Sequence, residues 1–181
     1  GDATVGIYKY TGLDDNGGSA YQVKVKDDNG CETVGSSITI TNPTSVTISS
    51  EQHTDLTCHN SNDGTITIAA SGGTGTLHFS IDNGSNWSTD NDAGDGDGTV
   101  GTYKFTGLDD NGGLAYQVKV KDDNGCETVG SSITITNPTS VTISSEQHTD
   151  LNCHDSNDGT ITIAATGGTG TLYFSINNGC L

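Results

Sequence analysis

Residues 5–86 of the chain align without a gap on residues 100–181, a spacing of 95, and 72 of the 82 paired positions are identical. That internal repeat limits the fold more than any other feature. Solenoid units run to roughly 20–50 residues, so 95 is too long for one. It suits a whole β-sandwich domain of about 100 residues. The ten differences include Thr57/Asn152, Asn60/Asp155, Ser71/Thr166 and His78/Tyr173. A chain of this kind reads as about two periods of a string of near-identical domains.

Within each period the apolar residues alternate. Tyr21-Gln-Val23-Lys-Val25-Lys26 puts Tyr21, Val23 and Val25 on one face of a strand and Gln22, Lys24 and Lys26 on the other. The same period of two recurs at Ile38 and Ile40, Val46 and Ile48, Ile66 and Ile68, Leu77, Phe79 and Ile81, and Tyr103 and Phe105. Asp-Asp-Asn-Gly and Gly-Gly-Thr-Gly stretches separate these runs and supply the positive φ of tight turns. No run of ten residues has helical periodicity. The pattern predicts an all-β chain with six or seven short strands per period. Each module is expected to pack two antiparallel sheets as a β-sandwich, with one wet face per sheet.

Composition removes several functions. Six lysines and no arginine stand against 23 acidic residues, for a net charge of −17. A phosphate-tracking nucleic-acid binder needs a basic footprint, so no nucleic-acid partner is expected. No segment approaches the roughly 18 apolar residues of a membrane span. The chain has no Met, so it is expected to be a processed or internal piece of something longer.

Pro43 and Pro138 are the only prolines, each in Thr-Asn-Pro-Thr-Ser-Val between strand-like runs. Proline cannot donate to a central ladder and marks a strand start or linker. We therefore expect a complete module at 43–137. Residues 1–42 would be the C-terminal half of one module and 138–181 the N-terminal half of another. Joined, the two flanks would rebuild a module, either along one longer polypeptide or by head-to-tail assembly of subunits.

Cysteines follow the same division. Cys58 and Cys126 fall inside 43–137, and Cys31 and Cys153 are their counterparts in the flanks. A Cys58–Cys126 disulfide would close a loop of about 70 residues and stabilise by about 4 kcal/mol in the chain-entropy picture. Cys31 and Cys153 would then pair across half-modules. Buried free thiols are the plainer reading. Zinc is the sharper one, but a single Cys-His pair per module falls short of four ligands. Cys180 replaces the serine found at position 85 and has no counterpart.

Two sets of motifs carry a family resemblance. One is Cys153-His-Asp-Ser-Asn-Asp-Gly followed by Gly167-Gly-Thr-Gly-Thr-Leu-Tyr-Phe-Ser-Ile. The other is Phe105-Thr-Gly-Leu followed by Ala115-Tyr-Gln-Val-Lys-Val-Lys-Asp-Asp-Asn-Gly-Cys126. In this order they resemble the SprB-type repeat of giant cell-surface proteins of Bacteroidetes-group bacteria. Two turns depart from that pattern, the Asp- and Gly-rich stretch 86–98 and the longer turn 109–114. The resemblance implies a secreted immunoglobulin-like module strung in many copies, with roles in adhesion, gliding or cell-surface fibres.

Candidate chemistry is sparse. His53, Asp55, His59 and Ser61 lie close in sequence, but no strained nucleophile elbow accompanies them, and no enzymatic activity is expected. Calcium takes six to eight oxygens. Asp90, Asp92, Asp95 and Asp97 form the densest oxygen-rich stretch, with Asn60–Gly64 and Asp155–Gly159 as lesser candidates. Trp87, the single tryptophan, is either a cover at the edge of the core or a stacking surface for polysaccharide. The reading is an extracellular structural and adhesive repeat whose partners are neighbouring copies of itself, in a surface fibre or filament. A carbohydrate- or calcium-dependent recognition module, or a passive spacer in a secreted multidomain protein, are the alternatives.

Overall fold

The computed structural model describes residues 6–89 and 101–176. The chain divides into two compact units, Gly1–Thr44 and Ser45–Leu181. In the first, β1 (Tyr21–Lys26) and β2 (Glu32–Ile38) form an antiparallel hairpin with Tyr21 opposite Ile38 and Lys26 opposite Glu32. The second unit holds β3 (Thr47–Thr54), β4 (Gly64–Ser71), β5 (His78–Ser80), β6 (Ser88–Thr89), β7 (Thr102–Leu108), β8 (Tyr116–Lys121) and β9 (Glu127–Ile133). A further hairpin follows, β10 (Thr142–Thr149) with β11 (Thr160–Thr166). The helical segments among the described residues are two three-residue 3-10 turns, Asn16–Gly18 and Asn111–Gly113.

Strands β3 to β9 make one sandwich. One sheet has the order β3-β4-β7 and the other β6-β5-β8-β9, with every ladder antiparallel. Alternation places the core where the sequence puts it. Ile66 and Ile68 of β4, Phe79 of β5 and Val118 and Val120 of β8 are completely buried, and Val46, Leu77, Ile133 and Ile135 nearly so. Tyr103 stacks on Phe79 at 5.7 Å between ring centroids and meets Phe105 edge-on at 4.7 Å. The chain is thus an all-β, immunoglobulin-like sandwich with a 95-residue spacing. Leu56, which lies outside every alternating run, is also buried.

The two sheets meet at one edge through β3 and β9, which run side by side in the same direction. Thr128 Oγ1 donates to Val46 O near the start of both strands. Ser131 N donates to Glu51 Oε1 at 2.9 Å in the middle. At the far end Leu56 N donates to Thr136 O, and Thr136 N to Asp55 Oδ1. This close approach explains a glycine inside β9. A Cβ on Gly130 would stand 2.1 Å from Glu51 Oε1 and 2.9 Å from both Ile48 Cδ1 and Val118 Cγ1.

The sandwich has two ends. The entry end carries Val46, the Gly72–Gly75 loop and the Asp122–Cys126 turn. The exit end carries Leu56, the Cys58–Asp63 turn, the Asp109–Gly113 turn and Asn137–Pro138. Strand β4, eight residues long, spans from one to the other, about 23 Å at roughly 3.3 Å per residue.

The flanking hairpins repeat the local structure of the sandwich and lack its burial. The β1–β2 ladder shifts register between Gln22 and Lys24, as β8–β9 does between Gln117 and Lys119. In each, the glutamine amide stitches the bulge, Gln22 Nε2 to Gly35 O and Gln117 Nε2 to Gly130 O. Yet Val120 is 0% exposed and its counterpart Val25 64%; Ile66 is 0% and Ile161 63%; Phe79 is 0% and Phe174 51%. Burying an aliphatic or Phe side chain contributes about 1.5–3 kcal/mol, and the hairpins forgo it.

The contrast sets a test. Phe79→Ala should lower the stability of the sandwich by about 3–5 kcal/mol in urea unfolding. Phe174→Ala in the same chain should cost less than about 1 kcal/mol. Gly130→Ala should cost about 1–3 kcal/mol through crowding against Ile48 and Val118.

Candidate functional site

The exit-end turn is built by its own short polar side chains. Asn60 has a positive φ of 57°, a conformation asparagine accepts more readily than most residues. Ser61 Oγ donates to Asp63 Oδ1 at 2.6 Å, Thr57 N donates to the same oxygen at 3.1 Å, and Thr57 Oγ1 donates to Asp63 Oδ2. These bonds, Ser61 first, hold the Asp63 carboxyl below the ordinary carboxylate range. The second copy keeps the arrangement despite its substitution: Asn152 Nδ2 takes over from the threonine hydroxyl and donates to Asp158 Oδ2 at 2.5 Å. Asp158 is lowered to about 2, led by the bond from Ser156.

This turn grips the linker that leaves the sandwich. His59 Nδ1 donates to Pro138 O at 2.8 Å. Asn60 N donates to Asn137 Oδ1 at 3.0 Å, and Asn137 Nδ2 donates to Asn60 Oδ1 at 2.8 Å and Asp110 Oδ2 at 3.2 Å. Beyond the proline, Thr169 Oγ1 reaches back to Thr57 O at 3.4 Å, and Gly168 N donates to Thr139 O. The junction between 43–137 and the segment after it is therefore a hydrogen-bonded surface.

The entry end is organised by two aspartates. Asp122 is 2% exposed and accepts from Thr74 N at 2.9 Å, Cys126 N at 2.9 Å and Asn124 N at 3.0 Å. The backbone bond from Thr74 leads the causes that keep it ionised to lower pH than usual. Its neighbour Asp123 accepts from Thr76 N and from His78 Nε2, both also favouring the carboxylate. Two such acceptors tie the Gly72–Gly75 loop to the β8–β9 turn.

The cysteines sit at these two ends. Cys58 lies in the exit-end turn and Cys126 in the entry-end turn, with the length of β4 between them. Cys31, Cys58, Cys126 and Cys153 are all exposed free thiols. The structure does not bring Cys58 to Cys126, because a disulfide needs Cα atoms about 4.5–7 Å apart and the strands hold them several times farther apart. Cys31 occupies the same turn position as Cys126, with its N–H on Asp27 Oδ1. Cys153 occupies that of Cys58, with its N–H on Ser156 Oγ. By that equivalence, a Cys31-type and a Cys153-type cysteine of one sandwich also stand at opposite ends.

Other candidates take scaffold positions. Trp87 is half-buried against the four-stranded sheet, packs on Gly84 and carries the Lys121 ammonium 4.2 Å from its ring centroid. His53 Nε2 lies 3.9 Å from Asp55 Oδ1, and Asp55 already accepts from Thr136 N. Ser61 and His59 are engaged in the turn and the linker. Asp90, Asp92, Asp95 and Asp97 lie outside the described residues, as does Cys180. Among the described residues no group of three or more His, Cys, Asp and Glu side chains could hold a metal ion. No helix among them is long and apolar enough to cross a membrane.

Comparison with known proteins agrees with the motifs. The family model of the SprB repeat matches residues 50–86 and again 145–180, 95 residues apart. These two segments are similar to the SprB repeat. Each matched segment begins in β3 or its counterpart β10, runs through the Cys58-type turn and the Gly-Gly-Thr-Gly loop, and ends after Phe79 or its counterpart Phe174. SprB repeats are a structural repeat family of cell-surface or secreted proteins. Neither the curated proteins nor the solved structures contain a match to the chain.

The depressed carboxyls give a pH prediction. A folded-state value below the unfolded one means the native chain binds fewer protons, so the stabilisation is complete above about pH 5 and is lost as the pH falls through the folded values. Acid titration followed by near-ultraviolet circular dichroism should show a flat plateau and a loss beginning below about pH 4. Asp122→Asn, which removes one acceptor oxygen at the entry end, should lower the plateau stability and flatten the acid limb.

Proposed function

We propose that the chain is a section of a long extracellular fibre or filament at a cell surface, assembled from tandem copies of one module and carrying adhesive surfaces along its length. One observation carries this reading: the same sequence is buried in the complete sandwich and bare in the flanks. Ile161, Ile163 and Phe174 line an apolar hollow on the second unit, and Tyr10, Leu13, Tyr21, Val23, Ile38 and Ile40 line one on the first. In the complete sandwich the counterparts of these two groups pack on each other. Neighbouring copies of the repeat are the partners that supply the complementary half.

The edge pairing of β3 and β9 suits a load-bearing role. The chain enters along β3 and leaves along β9, and the two strands point the same way. Tension applied through the linkers pulls them past each other in shear. The bonds at Thr128, Ser131, Leu56 and Thr136 then bear load together and cannot open one by one. The linker grip by His59, Asn60 and Asn137 favours a shaft over a passive spacer, which needs no bonded junction. The −17 net charge keeps parallel arrays from clumping.

Three measurements test the proposal. Polypeptides lengthened by one, two and three 95-residue periods should appear in electron micrographs as straight rods whose length grows by a fixed increment. Freely bent strings of beads would favour the spacer. In single-molecule pulling, Glu51→Ala should lower the unfolding force and cost about 1–2 kcal/mol at equilibrium, because Ser131 N loses its acceptor; an unchanged force would remove β3–β9 from the load path. Antibody labelling of the source cells should place the protein outside the cell.

A further inference from the structure

Four cysteines, each an exposed free thiol, stand at the two ends of the repeat unit and not within reach of one another inside it. What lies next to each end therefore decides what they do. At the exit end, Thr169 of the following module donates its hydroxyl to Thr57 O, and Thr57 is the residue before Cys58. Thr169 is the counterpart of Thr74, 95 residues earlier. In the complete sandwich Thr74 is bonded on both sides to the turn that carries Cys126. Its N–H goes to Asp122 Oδ2 at 2.9 Å and its carbonyl accepts from Asp123 N at 3.3 Å. Asp122 in turn accepts from Cys126 N.

The two observations share one residue. The threonine that touches the Cys58 side of a junction is the threonine that, in a completed module, holds the turn carrying the Cys126-type cysteine. We propose that Cys58 of each module forms a disulfide with the Cys126 counterpart of the module that follows it, so that the bonds run between modules and not within them. The inference rests on the tandem stacking proposed above. Both thiols lie on turns at the same junction, connected through Thr57, its bond from the threonine of the following loop, and the aspartate that holds that loop to the second turn. The bond requires the two turns to bring their Cα atoms to within about 4.5–7 Å. Within one chain each cysteine's partner belongs to another copy of the repeat: that of Cys58 follows, that of Cys126 precedes.

The chemistry balances with a small disulfide as oxidant. The Cys58 thiolate attacks oxidised glutathione, forms a mixed disulfide and releases one glutathione thiol. The counterpart thiolate then attacks the Cys58 sulfur and releases the second. Two thiol protons and two electrons leave the protein for each bond made. The product is a covalent strap beside the Asn137–Pro138 linker, so every junction is crossed twice, once by the chain and once by sulfur.

The test uses the chain lengthened by one period, so that two complete modules follow each other, with all cysteines kept and a protease recognition sequence placed between the modules. After equilibration in a glutathione redox buffer and cleavage, a denaturing gel without reductant should show the two pieces still joined, separating when reductant is added. Pieces that separate without reductant overturn the proposal. A second pair of variants assigns the bond. With Ser at every other cysteine, Cys58 and the next module's counterpart of Cys126 should lose both titratable thiols, while Cys58 and Cys126 of one module should keep both. The opposite result, or two free thiols in both variants with protease-resistant, folded modules, overturns it. Small-angle scattering separates the two ideas. Straight stacked modules with free thiols reject the disulfide alone; splayed modules reject the stacking as well.

Discussion

A two-stranded hairpin has an apolar face and nothing to put against it, and that constraint organises the whole chain. Ile66 and Ile68 on β4 disappear from solvent only because Phe79, Val118 and Val120 arrive from the other sheet. Those residues come from up to about fifty positions later in sequence, so the module closes only when its front and back halves are both present. The flanking hairpins have the same registers, the same bulges and the same turn hydrogen bonds, and their faces stay bare. Local structure and tertiary burial are separable here in one molecule.

The polar residues cluster where the sandwich ends, and there they work as joinery. Asp63 and Asp122 accept several bonds each from nearby backbone and hydroxyl donors, which shapes a turn at either end. Asn137 and His59 carry that order across the linker. Substitutions between the copies respect this logic where a partner is present: asparagine at 152 donates to Asp158 as threonine at 57 donates to Asp63. Tyr173 in place of His78 is 92% exposed, since no β8–β9 turn lies beside it to offer the carboxylate that His78 finds in Asp123.

Parallel terminal strands give the module a direction. The chain enters at Val46 and leaves at Thr136 along neighbouring strands, and Gly130 permits the close approach that lets Glu51 reach the β9 backbone. The ends of the module are consequently different surfaces, one presenting Asp122, Asp123 and Cys126 and the other His59, Asn60 and Cys58.

Repeat spacing, β class, most of the core and the hairpin turns are readable along the chain, because period-two alternation and Asn-Gly or Gly-Gly turns act over a few residues. Ile66, Ile68, Phe79, Val118 and Val120 were legible from that pattern alone. Leu56 was not, since it packs from a non-alternating segment after β3. The linker grip by Asn137 and Asn60 joins residues 77 positions apart, and nothing local announces it. Cysteine counting placed one pair in each module but could not tell whether two members of a pair share an end. That depends on three-dimensional packing, because the eight residues of β4 set the distance between the ends, and an extended strand holds Cys58 and Cys126 apart.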